Sequence, residues 1–280
     1  MSGKPVIGII GLGYVGSAVS SGMEQSYDVE TYDKFKDSSC QSVKELCSKT
    51  KVVFVCVPTP MKKSGECDIS IVEDVLSELN NQCKDHLILL KSTVPPKTTA
   101  GLNEKYSNFS LVFNPEFLTE ANYMSDFVCC NRVILGGKIE DTNKAAEIYR
   151  KRFPTKAIVQ TTHSTAEMVK YVANTFLATK VSFANEIKQL CDKIEVNYSH
   201  LMSFARLDER LGSSHWAVPG PDGHHGFGGS CFPKDVNALV AFMKENGVSP
   251  TVLQAVWDKN LEVRPEKDWE NLIGRAVSKE

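Results

Sequence analysis

Apolar and polar positions along the first 160 residues alternate between short apolar runs and helical stretches. Lys4–Ile10, a run ending in Glu30-Thr-Tyr-Asp33, Lys51–Val57, His86–Lys91, Phe109–Phe113, Arg132–Leu135 and Ala157–Gln160 are compact and apolar. Most are closed by Gly, Pro, Ser or Asn, the usual boundaries of strands. Helical periodicity fills most of the intervals, and strand alternating with helix predicts a mostly parallel sheet covered on both faces. The polar and proline-rich motifs fall at the C-terminal ends of strands, where open α/β sheets bind ligands.

From Ser164 the pattern changes. No strand-like run follows, and Ser164–Lys193 keeps a helical period without Pro or Gly. Ser164 is the expected N-cap, with Glu167 closing a capping box. Such a helix would be about 45 Å long, enough to join two lobes and to offer a surface for pairing with another subunit. Further helices are expected over Met202–Leu211, Val236–Asn246, Thr251–Leu261 and Glu266–Ser278, with the loop Gly212–Pro233 between the first two. The expected organisation is a sheet domain over 1–163, a connecting helix over 164–193 and a small all-helical domain over 194–280.

The first strand runs straight into Gly11-Leu-Gly13-Tyr-Val-Gly16 and a helix. The first glycine permits a tight turn, the second lets a pyrophosphate approach the backbone, and the third lets helix pack on strand. The helix N-terminus then faces the phosphates. Asp33 ends the second strand, where a carboxylate accepts hydrogen bonds from a ribose diol. Strand, glycines, helix, strand and acid in register predict a Rossmann-type dinucleotide site built from Gly11, Gly13, Tyr14, Val15, Gly16 and Asp33. The same acid would repel a 2′-phosphate, so NAD is expected over NADP, although Lys34 and Lys36 stand close by.

Composition narrows the function classes. A formal net charge of −2 provides no basic field for nucleic acid or an anionic membrane. The apolar start is too short for a signal peptide or a membrane span. The nine cysteines are odd in number and lack zinc-type spacing, so no metal is expected. They read as reduced thiols of a cytoplasmic protein, most of them small core hydrophobes.

One cysteine differs in its setting. Gly226-Phe-Gly-Gly-Ser-Cys231-Phe-Pro-Lys234-Asp235 frees the backbone for close approach and puts a cation beside the thiol. A neighbouring cation favours the nucleophilic thiolate. Alone, the segment fits an idle buried cysteine better than a nucleophile. Lys170 and Asn174 are four apart on the long helix and so share a face, as an oxyanion-stabilising pair or as plain solvated residues. Arg206 and Arg210 repeat that spacing on the next helix.

With these motifs together, the chain resembles the UDP-glucose/GDP-mannose dehydrogenases, which oxidise a nucleotide-sugar alcohol to the acid with two NAD. The resemblance is carried by Gly11–Gly16, Val57-Pro58-Thr59-Pro60, Ser92-Thr93-Val-Pro95, Asn114-Pro-Glu116-Phe117-Leu118 with Glu120, Lys170 with Asn174, and Gly226–Asp235, in the family's order. It implies Cys231 as the nucleophile of a thiohemiacetal and thioester route. Lys170 and Asn174 would steady the oxyanion, Glu116 would be the hydrolytic base with a raised pKa, and Asp235 would hold Lys170 or a water. Thr93 would hold water, and with Pro58, Thr59 and Lys234 would line the cofactor. Phe117, Leu118, Glu120, Phe227 and Gly228 would meet the sugar, and Arg210 would reach the sugar pocket of a neighbouring subunit.

Members normally continue into a second Rossmann-like domain that grips the sugar nucleotide, and this sequence stops before it. A truncated form is therefore expected, acting on UDP-glucose or GDP-mannose, as a homodimer through the long helix. His224 and His225 are expected on a flexible loop rim. Two alternatives compete. One is an idle NAD-binding regulatory subunit; the other is a simple hydroxy-acid dehydrogenase, which has no use for a nucleophilic cysteine.

Overall fold

The computed structural model describes residues 3–279. Strands β1 (Val6–Ile10), β2 (Asp28–Tyr32), β3 (Val52–Val55), β4 (His86–Leu90), β5 (Phe109–Phe113), β6 (Arg132–Gly136) and β7 (Ala157–Thr161) form one sheet in the order β2-β1-β3-β4-β5-β6-β7. The first five run parallel; β6 meets β5 antiparallel and β7 runs parallel to β6. Between them lie α1 (Tyr14–Met23), α2 (Val43–Lys49), α3 (Ser70–Gln82), α4 (Thr98–Lys105), α5 (Tyr123–Cys129) and α6 (Ile139–Arg152). Then come α7 (His163–Lys193), α8 (Tyr198–Ala205), α9 (Phe232–Glu245) and α10 (Thr251–Val263).

The period of two in the strands sorts the core. Ile7, Ile9, Phe54, Leu87 and Leu89 join α1 and α6 in one cluster. Their neighbours Ile10, Val53, Val55, Ile88 and Leu90 join α2, α3 and α4 in the other. Every residue of β4 is buried, as a central strand covered on both faces requires.

The described residues divide into two compact units, one running to Thr59 and again from Ile69 to Lys170, the other taking Pro60–Asp68 and everything from Tyr171. The segment 60–68 thus joins the helical unit, although the sequence pattern assigned it to the sheet domain. The core of the second unit is aromatic. Phe227 lies 6.0 Å from Phe232 and 6.3 Å from Trp257, whose ring is 5.2 Å from Trp269.

Several local expectations change. The long helix starts at His163, and the Thr162 hydroxyl, not Ser164, accepts from Thr165 N–H at 3.2 Å. Glu167 closes no capping box. Its carboxylate accepts from the backbone N–H groups of Lys97 and Thr99 at 2.8 and 2.7 Å, capping α4, whose own N-cap Lys97 supplies no side-chain acceptor. The expected helix over 202–211 breaks after Ala205, and a separate 3-10 turn forms at Glu209–Leu211, capped by Asp208. No helix spans 266–278. A 3-10 turn at Asp268–Asn271 ends before Gly274, whose φ is +78°. Val277 then bridges to Met61. The cysteines are not all free thiols, because Cys47 and Cys83 form a disulfide. Their separation of 36 residues gave no pairing signal. The other seven form no disulfide. Among the described residues, no helix is long and apolar enough to cross a membrane.

Candidate active site

In the first unit the glycine turn is built by steric need. Gly11 sits at φ +90°, and a Cβ there would lie 2.9 Å from the Cys56 carbonyl oxygen. A Cβ on Gly16 would fall 1.8 Å from the Gly11 carbonyl oxygen, so only glycine lets α1 start against this turn. A Cβ on Gly13 would meet nothing within 4 Å. The space at the head of α1 is therefore open, and the turn fits a dinucleotide pyrophosphate. Tyr14 is exposed, with its ring 5.0 Å from that of Tyr123, and Val15 packs toward the core.

Asp33 accepts from Leu12 N–H at 2.6 Å and, through its other oxygen, from Phe35 and Lys36 N–H at 2.8 and 3.1 Å. The carboxylate thus fixes the turn while standing at the end of β2. Lys36 reaches back to the Leu12 carbonyl at 2.5 Å. The strand-end loops carrying Pro58, Thr59 and Thr93 are tied together, since the Thr59 hydroxyl donates to the Thr93 carbonyl at 2.7 Å.

Beyond β5, Lys170 and Glu116 form an ion pair of 3.0 Å, with side chains only 4% and 10% exposed. The Glu116 Oε2 also accepts from Leu118 N–H at 2.6 Å. Burial alone would push the Glu116 carboxyl up. The Lys170 charge, the Leu118 N–H and the more distant Lys91 reverse that, and the group is held below the usual carboxylate range. The raised pKa expected for Glu116 is thus corrected: burial was foreseeable, a fully desolvated ammonium beside it was not. The Lys170 ammonium and the Arg132 guanidinium both stand over the Phe117 ring, 5.5 and 4.6 Å from its centre. Leu118 packs on the core, and Glu120 is half-buried just beyond.

In the second unit Cys231 is the N-cap residue of α9, partly exposed, with Pro233 in the first turn. A helix N-terminus favours thiolate over thiol. Asp235, at 1% exposure, accepts from Asn174 Nδ2 at 2.6 Å and pairs through its other oxygen with Lys234 at 2.5 Å. Its side-chain partners are therefore Asn174 and Lys234, and Lys170 pairs with Glu116 instead. Burial pulls the Lys234 ammonium down, but Asp235 and the Cys231 and Cys67 thiols outweigh it and leave it above its ordinary value. Lys234 is thus held by Asp235.

The loop ahead of Cys231 is held by side chains that its own sequence did not point to. Asn185 accepts from Gly226 N–H at 3.2 Å. Asn260 accepts from Phe227 N–H at 2.7 Å and donates to the Phe227 carbonyl at 2.9 Å. Asp268 accepts from Gly229 N–H at 2.9 Å. Arg264, with a side chain 3% exposed, bridges Asp222 at 2.8 Å and Asp268 at 2.6 Å. A Cβ on Gly228 would lie 2.3 Å from both Arg264 and Asp268. The one available signal was that a Gly-rich loop leaves backbone donors to be satisfied, and that Asn260 and Arg264 sit four apart on an amphipathic helix.

Other expectations shift here too. Phe227 does not face a ligand, because its ring belongs to the aromatic core and is 4% exposed. Gly228 is backed by Arg264 and Asp268. Arg210 stands on the 3-10 turn, exposed and paired with Asp208, so it does not share a helix with Arg206, the C-cap of α8. His224 contacts Glu266 at 3.1 Å, in a loop that Arg264 ties down through Asp222 rather than a free rim.

The sheet order and the glycine turn define a dinucleotide-binding α/β protein carrying a cysteine-headed helix in a second unit. Models of the UDP-glucose/GDP-mannose dehydrogenase family match this chain twice, the NAD binding domain over residues 31–153 and the central domain over 164–262. The chain belongs to that family. It is 40% identical over 225 residues to a UDP-glucose 6-dehydrogenase of Rickettsia bellii, an alignment covering 78% of this chain and 51% of the relative. Among solved structures, a UDP-glucose dehydrogenase from the archaeon Pyrobaculum islandicum matches with a TM-score of 0.82 at 28% identity, covering 97% of this chain and 71% of that one. A GDP-mannose dehydrogenase from Pseudomonas aeruginosa matches at 0.66 and 26%, covering 95% and 70%. The chain spans about half the length of the curated relatives it matches.

Proposed function

We propose that this chain oxidises a nucleotide sugar to the corresponding uronic acid with NAD, UDP-glucose being the first candidate and GDP-mannose the second. The observation that carries the reading is Cys231 at the head of α9, in a loop whose backbone is fixed by Asn185, Asn260 and Asp268. A core cysteine needs no such frame; a nucleophile does.

Turning an alcohol into an acid removes two hydrides and adds one water. NAD, when bound against the Gly11–Gly16 turn and Asp33, accepts the hydrides. The Cys231 thiolate adds to the intermediate aldehyde to give a thiohemiacetal, and loss of the second hydride leaves a thioester. Water attacks the thioester carbonyl, the Cys231 sulfur leaves, and Glu116 takes the proton of the water. Lys170 and Asn174 donate to the oxygen that becomes anionic at each tetrahedral stage. Asp235 orients Asn174 and keeps the Lys234 cation near the thiol. Thr93 positions water, and Phe117, Leu118 and Glu120 shape the sugar pocket.

Self-association through α7 is part of the same reading. Val172, Phe176, Phe183 and Leu190 are all more than half exposed along this one helix, and Ile194 just past its end continues the row, an apolar stripe that solvent does not favour. Arg210 is then assigned to the partner's sugar pocket. Phe176→Glu should shift the protein from dimer to monomer in sedimentation, and an unmodified protein that is already monomeric and active rejects the pairing.

The main test follows NADH formation with NAD and each nucleotide sugar. Two NADH per sugar are expected, with Cys231→Ala binding NAD normally while losing acid formation by about 10⁴-fold or more. No NADH would make the chain an NAD-binding regulatory subunit instead, and one NADH per substrate would favour a simple hydroxy-acid oxidation.

A further inference from the structure

A lysine that the chemistry above does not use stands behind Glu116. Lys91 follows β4, is 3% exposed, and donates from Nζ to the Asn114 backbone carbonyl at 3.1 Å and to Asn114 Oδ1 at 3.2 Å. Both acceptors are neutral. Among the described residues no carboxylate lies within ion-pair distance of this ammonium, and burying a cation without one is costly. Asn114 is itself fully engaged: Oδ1 also accepts from the Tyr149 hydroxyl at 2.5 Å, and Nδ2 donates to the Ile134 carbonyl at 3.0 Å. Pro115 follows with its φ fixed, so a displacement of Asn114 passes directly to Glu116. Lys91 and Glu116 line one small cavity with Phe117, Cys130, Arg132 and Tyr149.

We propose that Lys91 is a positioning residue for thioester hydrolysis, clamping the Asn114-Pro115-Glu116 turn and governing through its charge how strongly Glu116 can accept the proton of the attacking water. The proposal rests on Glu116 being the hydrolytic base.

The surroundings leave that charge uncompensated. The Cys56 thiol beyond β3 is pushed up to about 12 by burial, and the Tyr149 hydroxyl on α6 is pushed higher still, so both stay neutral. The Cys130 thiol after α5 donates to the Arg132 carbonyl at 3.0 Å. The remaining charged neighbours are cations. Lys170 of α7 already pairs with Glu116, and Arg132 of β6 is stacked on Phe117. Lys156, ahead of β7, donates to the Phe127 carbonyl, and burial draws its ammonium down.

Burial likewise draws the Lys91 ammonium down, to about 8, with the Glu116 charge opposing and Lys170 adding to the fall. Below that pH Glu116 faces the charges of both lysines and is a weak base. Above it Lys91 is neutral, one opposing charge is gone, and Glu116 becomes the stronger proton acceptor. Hydrolysis should therefore accelerate as pH rises through about 8.

The test measures decay of the Cys231 thioester in a single turnover, by acid quench and intact mass, from pH 6.5 to 9.5. The unmodified protein should show about a tenfold rise. Lys91→Met, uncharged throughout but without the clamp, should lose the rise and stay below the high-pH rate of the unmodified protein. Lys91→Arg, charged throughout, should lose it and stay near the low-pH rate. NADH formation in the first turnover should be unchanged in both. A Lys91→Arg protein that folds and keeps the unmodified pH profile overturns the proposal, whatever the fate of the Met variant. A Glu116→Gln protein is the separate control: if its thioester decays normally, the base assignment itself fails and the Lys91 proposal falls with it. If that variant is blocked while the lysine variants keep the unmodified profile, only the Lys91 proposal is lost.

Discussion

Two glycine-rich loops head two helices in this chain, and they are held in opposite ways. Gly11–Gly16 leads into α1 and Gly226–Cys231 into α9, and each relies on a glycine at positive φ, +90° at Gly11 and +67° at Gly226. The first has one backbone donor, Leu12 N–H, held by a side-chain acceptor, Asp33, with Lys36 on the Leu12 carbonyl and Gly11 N–H on the Tyr32 carbonyl. The second has three N–H groups and a carbonyl taken up by Asn185, Asn260 and Asp268. The difference fits the roles proposed for the two loops. A phosphate cradle must leave backbone donors free for its ligand. A nucleophile loop must hold one sulfur still, and every free donor would be a route to motion.

The sharpest way to break that contrast is to remove the hub of the second frame. Arg264 joins Asp222 and Asp268, and breaking a buried pair by removing one partner costs about 3–5 kcal/mol. Since Asp222 and Asp268 are 48% and 37% exposed, water compensates part of the loss, and about 3 kcal/mol is expected. Arg264→Ala should lower the urea midpoint accordingly and cut kcat at least about tenfold, because the sulfur is no longer held in reactive geometry. NAD affinity should stay within about twofold, the glycine turn being a separate structure. Unchanged turnover in a folded Arg264→Ala protein would make the frame ornamental to catalysis.

The same contrast explains what could be read from the residues alone. The cofactor turn is encoded in one contiguous strand, turn, helix and strand, so local periodicity was enough to find it and its acid. The seven strands were legible for the same reason. The frame around Cys231 comes from side chains 41, 33 and 39 positions from the loop residues they hold, Gly226, Phe227 and Gly229, and no period or spacing announces such partners. Phe227 was misassigned because an aromatic in a Gly-rich motif looks ligand-facing, whereas Phe232, Trp257 and Trp269 complete a core around it. Glu116 shows a different limit. Its burial was foreseeable, but the sign of its shift depended on an ammonium at 3.0 Å. The helix expected over 266–278 failed because Trp269 is buried in a 3-10 turn and Gly274 takes a left-handed conformation.

The smallest expected effect tests the first loop. Asp33→Ser removes the side-chain acceptor of Leu12 N–H and the carboxylate assigned to the ribose diol. The Leu12, Phe35 and Lys36 N–H groups that it now receives lie near the surface, where water can replace it. The stability cost should therefore stay under about 1 kcal/mol, well below that of Arg264→Ala. The effect should fall on cofactor choice instead. Loss of a charge-assisted hydrogen bond should weaken NAD by about tenfold, roughly 1.4 kcal/mol. Repulsion of a 2′-phosphate should disappear, so the ratio of kcat/KM for NAD over NADP should shrink from both sides. Lys36, already bound to the Leu12 carbonyl at 2.5 Å, has to give up that contact before it can take the phosphate, which limits how far the ratio can fall. An unmodified protein that prefers NADP would transfer the leading role to Lys34 and Lys36. An Asp33→Ser protein as destabilised as Arg264→Ala would mean that the two loops are framed alike after all.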